Sequence, residues 1–175
     1  MLADRIPVAT IDRMTRERFV AAFGGVFEHS PWVAERAWPS RPFGSAAALH
    51  HAMLQAAAQA THEERLALLC AHPELAGREA ADGALTRDSG SEQGRLGFTA
   101  LPRADLERMA LLNRTYRAKF GFPAIVALAL HAGRDTVFAD IERRTANDAQ
   151  REIDGALEQI AHITRARLRR LVAED

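Results

Sequence analysis

Apolar side chains recur every three or four residues along most of this chain, and this helical period limits the folds that the chain can adopt. Alanine-rich tracts at 46–48 and 56–58 favour helix and disfavour strand. We therefore predict an all-α fold. It is expected to be a single domain over residues 1–175, built as a bundle of about eight or nine helices.

Charge balance and cysteine content narrow the class of partner. The chain has 175 residues, with 23 Lys and Arg against 23 Asp and Glu, so nothing in its charge indicates nucleic acid or an anionic membrane as a partner. Its apolar runs are too short to cross a membrane, the N-terminus lacks the apolar core of a secretion signal, and the lone Cys70 cannot form an internal disulfide. We expect a cytoplasmic protein that binds a small molecule or a protein.

Local capping signals predict where several helices begin. The predicted N-terminal signals are Thr15, Ser30 before Pro31, Ser45, Thr61 in the capping-box sequence Thr61-His62-Glu63-Glu64, and the segment 147–150 before a long final helix. Residues 77–100 contain five glycines and a polar cluster at 86–89, so we predict that this stretch is the least regular and forms loops. Loops on a rigid frame often carry ligand-binding groups.

Two helices carry a polar residue on a face that is otherwise apolar. In the helix predicted over about 103–119, the buried face consists of Leu106, Met109, Asn113, Tyr116 and Phe120. In the final helix, Arg167 shares a side with Ile153, Leu157, Ile160, Thr164, Leu168 and Leu171. A guanidinium is costly to bury without an anion. Arg167 therefore has a carboxylate partner in the protein, binds an anionic ligand, or extends its head to solvent from the edge of the face.

His72 ends the apolar run 66–71, because Pro73 disfavours helical geometry at the residue before it. An imidazole titrates near neutral pH, so His72 is suited to exchange a proton with a bound molecule. A helix-terminal histidine bonded to local backbone is the alternative, and the residues alone leave both open. Downstream, Glu92 is able to orient an imidazole, while Ser89, Ser91 and Gln93 offer hydrogen bonds to a polar ligand.

The remaining histidines and the cysteine do not indicate metal or thiol chemistry. His50 and His51 are adjacent and face different directions on a helix, and the chain contains no His-Glu-x-x-His or paired-cysteine motif. We predict no metal site. Cys70 is interpreted as a small core residue, because a spacing of two separates its side chain from that of His72 on a helix. Hydrolysis by Cys70 with His72 is a weaker alternative.

Short motifs spread over almost the whole chain resemble, in order and spacing, the 2-oxo-4-hydroxy-4-carboxy-5-ureidoimidazoline (OHCU) decarboxylases. They are Phe27-Glu28, the segment 30–35, Arg41-Pro42-Phe43, His72-Pro73-Glu74-Leu75-Ala76-Gly77, Ser91-Glu92-Gln93, Leu112-Asn113, Tyr116, Lys119-Phe120-Gly121-Phe122-Pro123, Arg144 with Asn147, and Arg167-Leu168. The resemblance implies an all-helical enzyme, frequently a homodimer, that forms (S)-allantoin at the end of uric acid breakdown.

The resemblance also implies roles for residues at matching positions. His72 is the expected proton donor, Pro73 helps to shape its pocket, and Glu92 positions the imidazole and holds the substrate. Arg167 is expected to bind the anionic end of the substrate. The other expected substrate contacts are Ser89, Gly90, Ser91 and Gln93, and the segment after Pro123, namely Ala124, Ile125, Val126, Ala127 and Leu128.

The implied reaction fits a site without a cofactor. Loss of carbon dioxide leaves electron density that the substrate's own ring can take up, so no metal or pyridoxal group is expected. The expected partners are a small-molecule substrate and a second copy of the chain, with neither nucleic acid nor membrane. One departure from the family is Ala124, where a second Phe is usual, and the smaller side chain would open the pocket. The rival hypothesis from another class is a non-catalytic helical module that binds a purine-derived anion or a protein, and it predicts binding without turnover.

Overall fold

Helices account for the regular structure of this chain. The computed structural model describes residues 5–173, and within that range it contains ten α-helices, eight of them with seven or more residues, and no β-strand. The all-α prediction is confirmed. The helices are α1 Val8–Ile11, α2 Arg16–Phe23, α3 Pro31–Ala37, α4 Ala46–Ala58, α5 His62–Cys70, α6 Arg78–Ala81, α7 Arg87–Arg95, α8 Arg103–Phe120, α9 Arg134–Arg144 and α10 Ala149–Leu171, with short 3₁₀ turns at Trp38–Ser40 and Leu128–Leu130. Across residues 5–173, none of the helices has both the length and the apolar character that crossing a membrane requires.

The chain divides into two compact units. The first comprises the residues up to Ala71 together with those from Ala161 onward. The second runs from His72 to Ile160. Helix α10 therefore contributes its last part to the first unit and its first part to the second.

The first unit is built around α3, which packs against both α2 and α4. Aromatic rings fill its core, with the centroid of Phe19 lying 5.0 Å from that of Phe23 and 5.7 Å from that of Phe43. Arg41 holds the loop between α1 and α2, because its Nη1 donates to the carbonyl oxygens of Asp12 and Met14 at 3.1 and 2.8 Å.

The second unit has its aromatic cluster at the end of α8. The ring centroid of Tyr116 lies 4.7 Å from that of Phe120 and 5.9 Å from that of Phe122. Phe98 and Phe138 form another aromatic pair, with centroids 6.1 Å apart. The string Lys119-Phe120-Gly121-Phe122-Pro123 is thus a chain turn, with Gly121 in the left-handed conformation at φ 81°.

Helix starts follow the local signals of the sequence closely. Thr15, Ser45 and Thr61 each accept a bond from the backbone N–H three residues later, and Thr61 with Glu64 forms the predicted capping box. Asp148 accepts from the N–H of Arg151 at 2.9 Å. Ser30 differs: α3 begins at Pro31 as predicted, but among the described residues the Ser30 side chain makes no capping bond. There the fixed φ of proline starts the helix instead.

The prediction of loops throughout residues 77–100 is wrong for residues 78–81, which form α6, and for residues 87–95, which form α7. The Thr86 side chain caps this helix by accepting from the N–H of Ser89 at 3.3 Å. Gly90 and Gly94 lie inside it, although each glycine costs a helix about 1 kcal/mol relative to alanine. Contacts with other parts of the unit must offset that cost, because a nine-residue helix of this composition is not stable alone.

Two predictions of burial are also wrong. Leu106, assigned to the buried face of α8, is 45% exposed, whereas Met109, Asn113 and Tyr116 on that face are buried. Cys70, interpreted as a core residue, is exposed at the end of α5. Both residues lie in a terminal turn of their helix, where the period gives the face but not whether another element covers it.

The capping box at the start of α5 makes a pH-dependent contribution to stability. Glu64 also binds Arg36, with Oε1 2.5 Å from Nη2, and this pairing together with the Thr61 N–H lowers its pKa from 4.5 to about 2. A carboxyl whose pKa is lower in the folded state stabilises the fold above pH 4.5, and this contribution disappears as the pH falls towards 2.

We therefore expect Glu64→Gln to lower the melting temperature at neutral pH but to match the wild type near pH 2. Thermal unfolding followed by far-ultraviolet circular dichroism across that range measures the difference. Glu63→Gln, one residue away and exposed, is the control and should have little effect. A wild-type advantage over Glu64→Gln that is equally large at both ends of the pH range would contradict the assignment.

Candidate active site

His72 lies where α5 stops, as the sequence predicted. The helix ends at Cys70, Ala71 is its C-cap, and His72 follows with only 6% of its surface exposed. Pro73 is half-buried beside it. The motif histidine is therefore a buried titratable group at a helix end, rather than a solvated surface residue.

Side chains from distant helices hold the turn after His72. Gln93 binds it twice, with Oε1 accepting from the N–H of Ala76 at 2.9 Å and Nε2 donating to the carbonyl oxygen of Glu74 at 3.2 Å. Asn113, the polar residue on the buried face of α8, donates to the carbonyl oxygen of Leu75 at 3.0 Å. Ala76 has a φ of 47°, a left-handed conformation that costs a residue with a Cβ about 1–2 kcal/mol. These three hydrogen bonds offset that cost and fix the backbone next to the histidine.

Residues 89–93 lie in helix α7, so their side chains point to different sides of that helix. Ser89 and Gln93, one turn apart, are buried, and Glu92 is half-buried beside them. Ser91 is exposed on the other side, and Gly90 offers no side chain. Of the polar groups predicted here, helical geometry thus brings Ser89, Glu92 and Gln93 together and separates Ser91 from them.

Arg95 connects α7 to the segment that follows Pro123. Its Nη2 donates to the carbonyl oxygen of Leu128 and lies 3.4 Å from that of His131. Helix α7 also packs against the 3₁₀ turn Leu128–Leu130. Through Gln93 and Arg95, one short helix links the turn after the motif histidine with the 124–128 segment.

The segment 124–128 is buried although it is neither α-helix nor strand. Side chains bond several of its backbone groups instead. Arg144 Nη1 donates to the carbonyl oxygen of Ile125 at 2.8 Å, and the N–H of Ala127 donates to Gln159 Oε1 at 2.9 Å. Side-chain bonds of this kind give an irregular segment one defined course through a core.

Other backbone groups of the segment lack such a bond in the described part of the chain, and Val126, in the middle of the segment, is an example. It is 4% exposed, and within residues 5–173 its N–H and C=O form no hydrogen bond. More than about nine in ten buried backbone groups in proteins are bonded. An N–H and a C=O of this kind in one buried residue are therefore candidates for bonds to a polar ligand.

Arg144 belongs to a buried charged network. Its Nε and Nη2 donate to Glu152 Oε1 at 2.9 and 2.6 Å, and Asn147 donates to the other carboxylate oxygen at 2.7 Å. The Tyr116 hydroxyl donates to Glu152 Oε1 as well, and burial raises the pKa of that hydroxyl. Burial alone would lower the pKa of Arg144, but its interactions with Tyr116, Glu152 and Asp140 outweigh burial and raise it. The network joins α8, α9, α10 and the 124–128 segment.

Arg167 lies in the first unit and is almost fully buried. Its Nη1 is 2.6 Å from Glu28 Oε2 and 3.4 Å from the carbonyl oxygen of Val26, and the two charged side chains are 2% and 1% exposed. Of the alternatives that the sequence left open, the structure therefore gives Arg167 a carboxylate partner in the protein. The turn after His72, helix α7 and the segment 124–128 all belong to the second unit. Arg167 and Glu28 belong to the first.

Sequence reasoning assigned no role to five of these residues: Glu28, Arg95, Arg144, Glu152 and Gln159. Two of them left a signal. Glu152 shares the apolar face of α10 with Ala156 and Ile160 at helical spacing, and a carboxylate on such a face requires a cation. The buried position of Arg167 likewise required an anion such as Glu28. Arg95 and Gln159 left none, because their partners are backbone groups far away in the sequence.

Clusters of metal-ligating side chains are not found in the part of the chain that the structure describes. Across residues 5–173, no three or more His, Cys, Asp or Glu side chains are grouped so that they could hold a metal ion. The buried carboxylate of Glu152 is instead saturated by Arg144, Tyr116 and Asn147.

Comparison with known proteins decides the family. The OHCU decarboxylase family profile matches residues 12–169. The chain belongs to the OHCU decarboxylase family. The prediction made from the ordered motifs is thus confirmed.

Relatives of this family differ in length. The chain is 40% identical to 2-oxo-4-hydroxy-4-carboxy-5-ureidoimidazoline decarboxylase of Haloferax volcanii, over 90% of this chain and 91% of that protein. It is 35% identical to the uric acid degradation bifunctional protein of a Bacillus species, covering 94% of this chain but only 32% of that protein. Among solved structures it is similar to an (S)-allantoin synthase, with a TM-score of 0.74 and 27% identity over 95% of this chain and 54% of that one. The family fold thus occurs both alone and as part of longer chains.

Removing the charge of Glu152 should destabilise the protein without changing the volume of the side chain. We expect Glu152→Gln to lower the free energy of unfolding by about 3–5 kcal/mol, because the buried Arg144 guanidinium then keeps only its longer pairing with Asp140, at 3.5 Å. Chemical denaturation followed by circular dichroism measures the loss. Glu158→Gln, on an exposed position of the same helix, is the control and should stay within about 0.5 kcal/mol of the wild type. Equal stability of the two variants would show that the pair is dispensable.

Proposed function

We propose that this protein decarboxylates OHCU to (S)-allantoin in uric acid degradation, without a cofactor. The observation that carries the proposal is membership of the OHCU decarboxylase family over residues 12–169. Relatives named for this activity cover about nine-tenths of the chain, and an (S)-allantoin synthase shares its fold. The buried His72, beside a backbone fixed by Gln93 and Asn113, supports the proposal.

The proposed reaction needs no electron sink outside the substrate. The carbon that loses the carboxylate also carries the hydroxyl, and it neighbours a ring carbon that bears the ureido group and is doubly bonded to nitrogen. When the carbon–carboxylate bond breaks, carbon dioxide leaves and its electron pair moves into that C=N system. Protonation of the ureido-bearing carbon then sets the stereocentre, while the hydroxyl becomes the ring carbonyl and the ring nitrogen gains a proton. Starting from the carboxylate, the reaction consumes one proton.

His72 is the proposed donor of the proton to the ureido-bearing carbon. An imidazolium in a buried position delivers its proton to one face of a flat intermediate, and the face decides the configuration of the product. Glu92, on the same helix as Gln93, is proposed to orient the imidazole or the substrate. The Gln93 amide serves the backbone of residues 74–76, so we assign it to positioning the turn rather than to the reaction.

The substrate's polar edge is proposed to bind the backbone of the 124–128 segment, with Pro73 and Ser89 completing the pocket. The N–H and C=O of Val126 support this assignment, since they are buried and unbonded within residues 5–173. Urea-like groups present both N–H donors and a carbonyl acceptor, which matches one donor and one acceptor on the backbone of the same residue. Arg167 is proposed to hold the carboxylate before it leaves.

We further propose that residues 1–175 act as one functional domain, that the active form is a homodimer, and that the enzyme works in the cytoplasm. The family match over residues 12–169 supports the first of these. A metabolic role in uric acid breakdown supports the last. Size-exclusion chromatography with light scattering measures the oligomeric state directly.

The decisive assay forms OHCU in situ from urate and follows the circular dichroism of (S)-allantoin. We expect the wild type to accelerate the appearance of that signal and to give one enantiomer. We expect His72→Ala to remove the enrichment and to lower kcat by about 10²–10⁴-fold, since that is the usual contribution of a general acid. His62→Ala, an exposed histidine in the first turn of α5, is the matched control.

Two results would overturn the proposal. A wild-type protein that neither accelerates decay nor enriches one enantiomer is not a decarboxylase, and substrate binding without turnover would instead favour the non-catalytic module. Full activity and enrichment in His72→Ala would refute the assignment of the proton donor while leaving the reaction itself in place.

The role of Arg167 needs a test that separates binding from folding, because Arg167→Ala would leave Glu28 buried without its described counter-charge. The double variant Arg167→Gln with Glu28→Gln removes both charges together and leaves a polar amide at each position. We expect it to fold and to raise KM by about tenfold or more, with a smaller change in kcat. Glu28→Gln alone, which keeps the guanidinium, is the control. An unchanged KM in the folded double variant would exclude a contact between Arg167 and the substrate.

A further inference from the structure

A groove in the first unit lies between α4 and the last part of α10, and none of the residues assigned to decarboxylation lines it. Its volume is about 460 Å³, and sites for small molecules commonly measure about 300–1,000 Å³. Alanine and leucine side chains form part of its lining. The groove therefore has the size and the apolar surface that a small organic molecule requires.

The polar groups of this groove are all basic. They are His50 and His51 from α4, and His162, Arg165 and Arg169 from α10, with no Asp or Glu among the described residues that line it. The whole chain has equal numbers of acidic and basic residues, 23 of each, so this one-sided cluster is a local concentration of positive charge. Concave surfaces of a single charge attract counter-ions more strongly than flat ones do.

Several of these side chains are available to a ligand. His51, His162 and Arg165 are exposed, and within residues 5–173 they form no hydrogen bond or ion pair. Arg36, by contrast, is neutralised by Glu64 in the same unit. The charge of Arg165 thus points to a partner from outside the chain.

The pKa of His50 depends on the charges that line the groove. Its Nε2 lies 3.0 Å from Thr164 Oγ1, which fixes the ring between the two helices. Burial lowers the pKa of His50, and the positive charges of Arg165 and His51 lower it further. An anion in the groove would act on His50 in the opposite direction.

The start of α4 adds two backbone N–H donors, which attract an anion as the basic side chains do. Ala46 and Ala47 line the groove and are the first two residues of a helix of 13 residues, whose early N–H groups have no partner in the helix. Ser45 caps the N–H of Ala48 at 3.0 Å and leaves those two. Such N–H groups favour an anion, in addition to the cationic side chains.

We propose that this groove binds a small planar organic dicarboxylate. One carboxylate pairs with Arg165 from α10 and the other accepts from the ring of His51 from α4, because both side chains line the groove and are exposed. The flat body rests on the alanine and leucine side chains. A guanidinium suits this task because its paired N–H groups match both oxygens of a carboxylate.

Isophthalate is the probe, because it is a rigid dianion of this shape, and isothermal titration calorimetry measures its binding to the full-length protein. We expect saturable binding of one molecule per chain, and weaker binding of benzoate, which has one carboxylate. The double variant Arg165→Gln with His51→Gln should bind isophthalate about tenfold more weakly or worse. Arg151→Gln, an exposed arginine of α10 outside the groove, should bind within about twofold of the wild type.

The titration of His50 gives a second measurement. The basic groups that line the groove with His50 are His51 from α4 and His162, Arg165 and Arg169 from α10. Isophthalate carries two negative charges at neutral pH, so its carboxylates favour the protonated form of the His50 ring. Saturating isophthalate should raise the pKa of His50, observed by NMR. Absence of saturable binding, equal weakening by Arg151→Gln, or an unchanged affinity in the double variant would each overturn the proposal.

Discussion

The buried ion pair between Arg144 and Glu152 is the interaction on which the second unit depends most. Taking two charges out of water is costly, and the cost is repaid only when the remaining donors and acceptors find partners. Here they do: Tyr116 and Asn147 complete the carboxylate, and the carbonyl oxygen of Ile125 takes a guanidinium donor. The pair therefore joins α8, α9 and α10 to a segment that has no regular structure of its own.

In the second unit, side chains repeatedly form hydrogen bonds to backbone that lies outside the helices. A helix bonds its own backbone, but the turn 74–77 and the segment 124–128 have few internal bonds and are nevertheless largely shielded from water. Gln93 supplies two bonds to the turn, and Arg95, two residues later, supplies one to Leu128. Helix α7 is short and contains two glycines, so the bonds it makes to its neighbours also maintain the helix.

These long-range bonds explain which parts of the molecule could be predicted from the sequence and which could not. Helix starts depend on residues three positions apart, and Thr15, Ser45 and Thr61 all cap as predicted. Burial depends on distant elements, and it was predicted wrongly at Leu106 and Cys70. The position of His72 follows from its neighbour Pro73. The partners of Gln93 and Arg95 are backbone groups 17 and 33 residues away, and no local pattern encodes such a contact.

The pairing of Arg167 with Glu28 has a chemical consequence if Arg167 holds the substrate's carboxylate. Decarboxylation converts a charged carboxylate into neutral carbon dioxide, so the charge near the guanidinium decreases on the way to the transition state. A cation of undiminished strength would then stabilise the substrate more than the transition state, which slows the reaction. Glu28, 2.6 Å from the guanidinium, offsets part of that charge and fixes its direction. A buried carboxylate beside the arginine thus favours orientation of the substrate over tight binding of it, and this balance suits an enzyme whose substrate must lose its own charge.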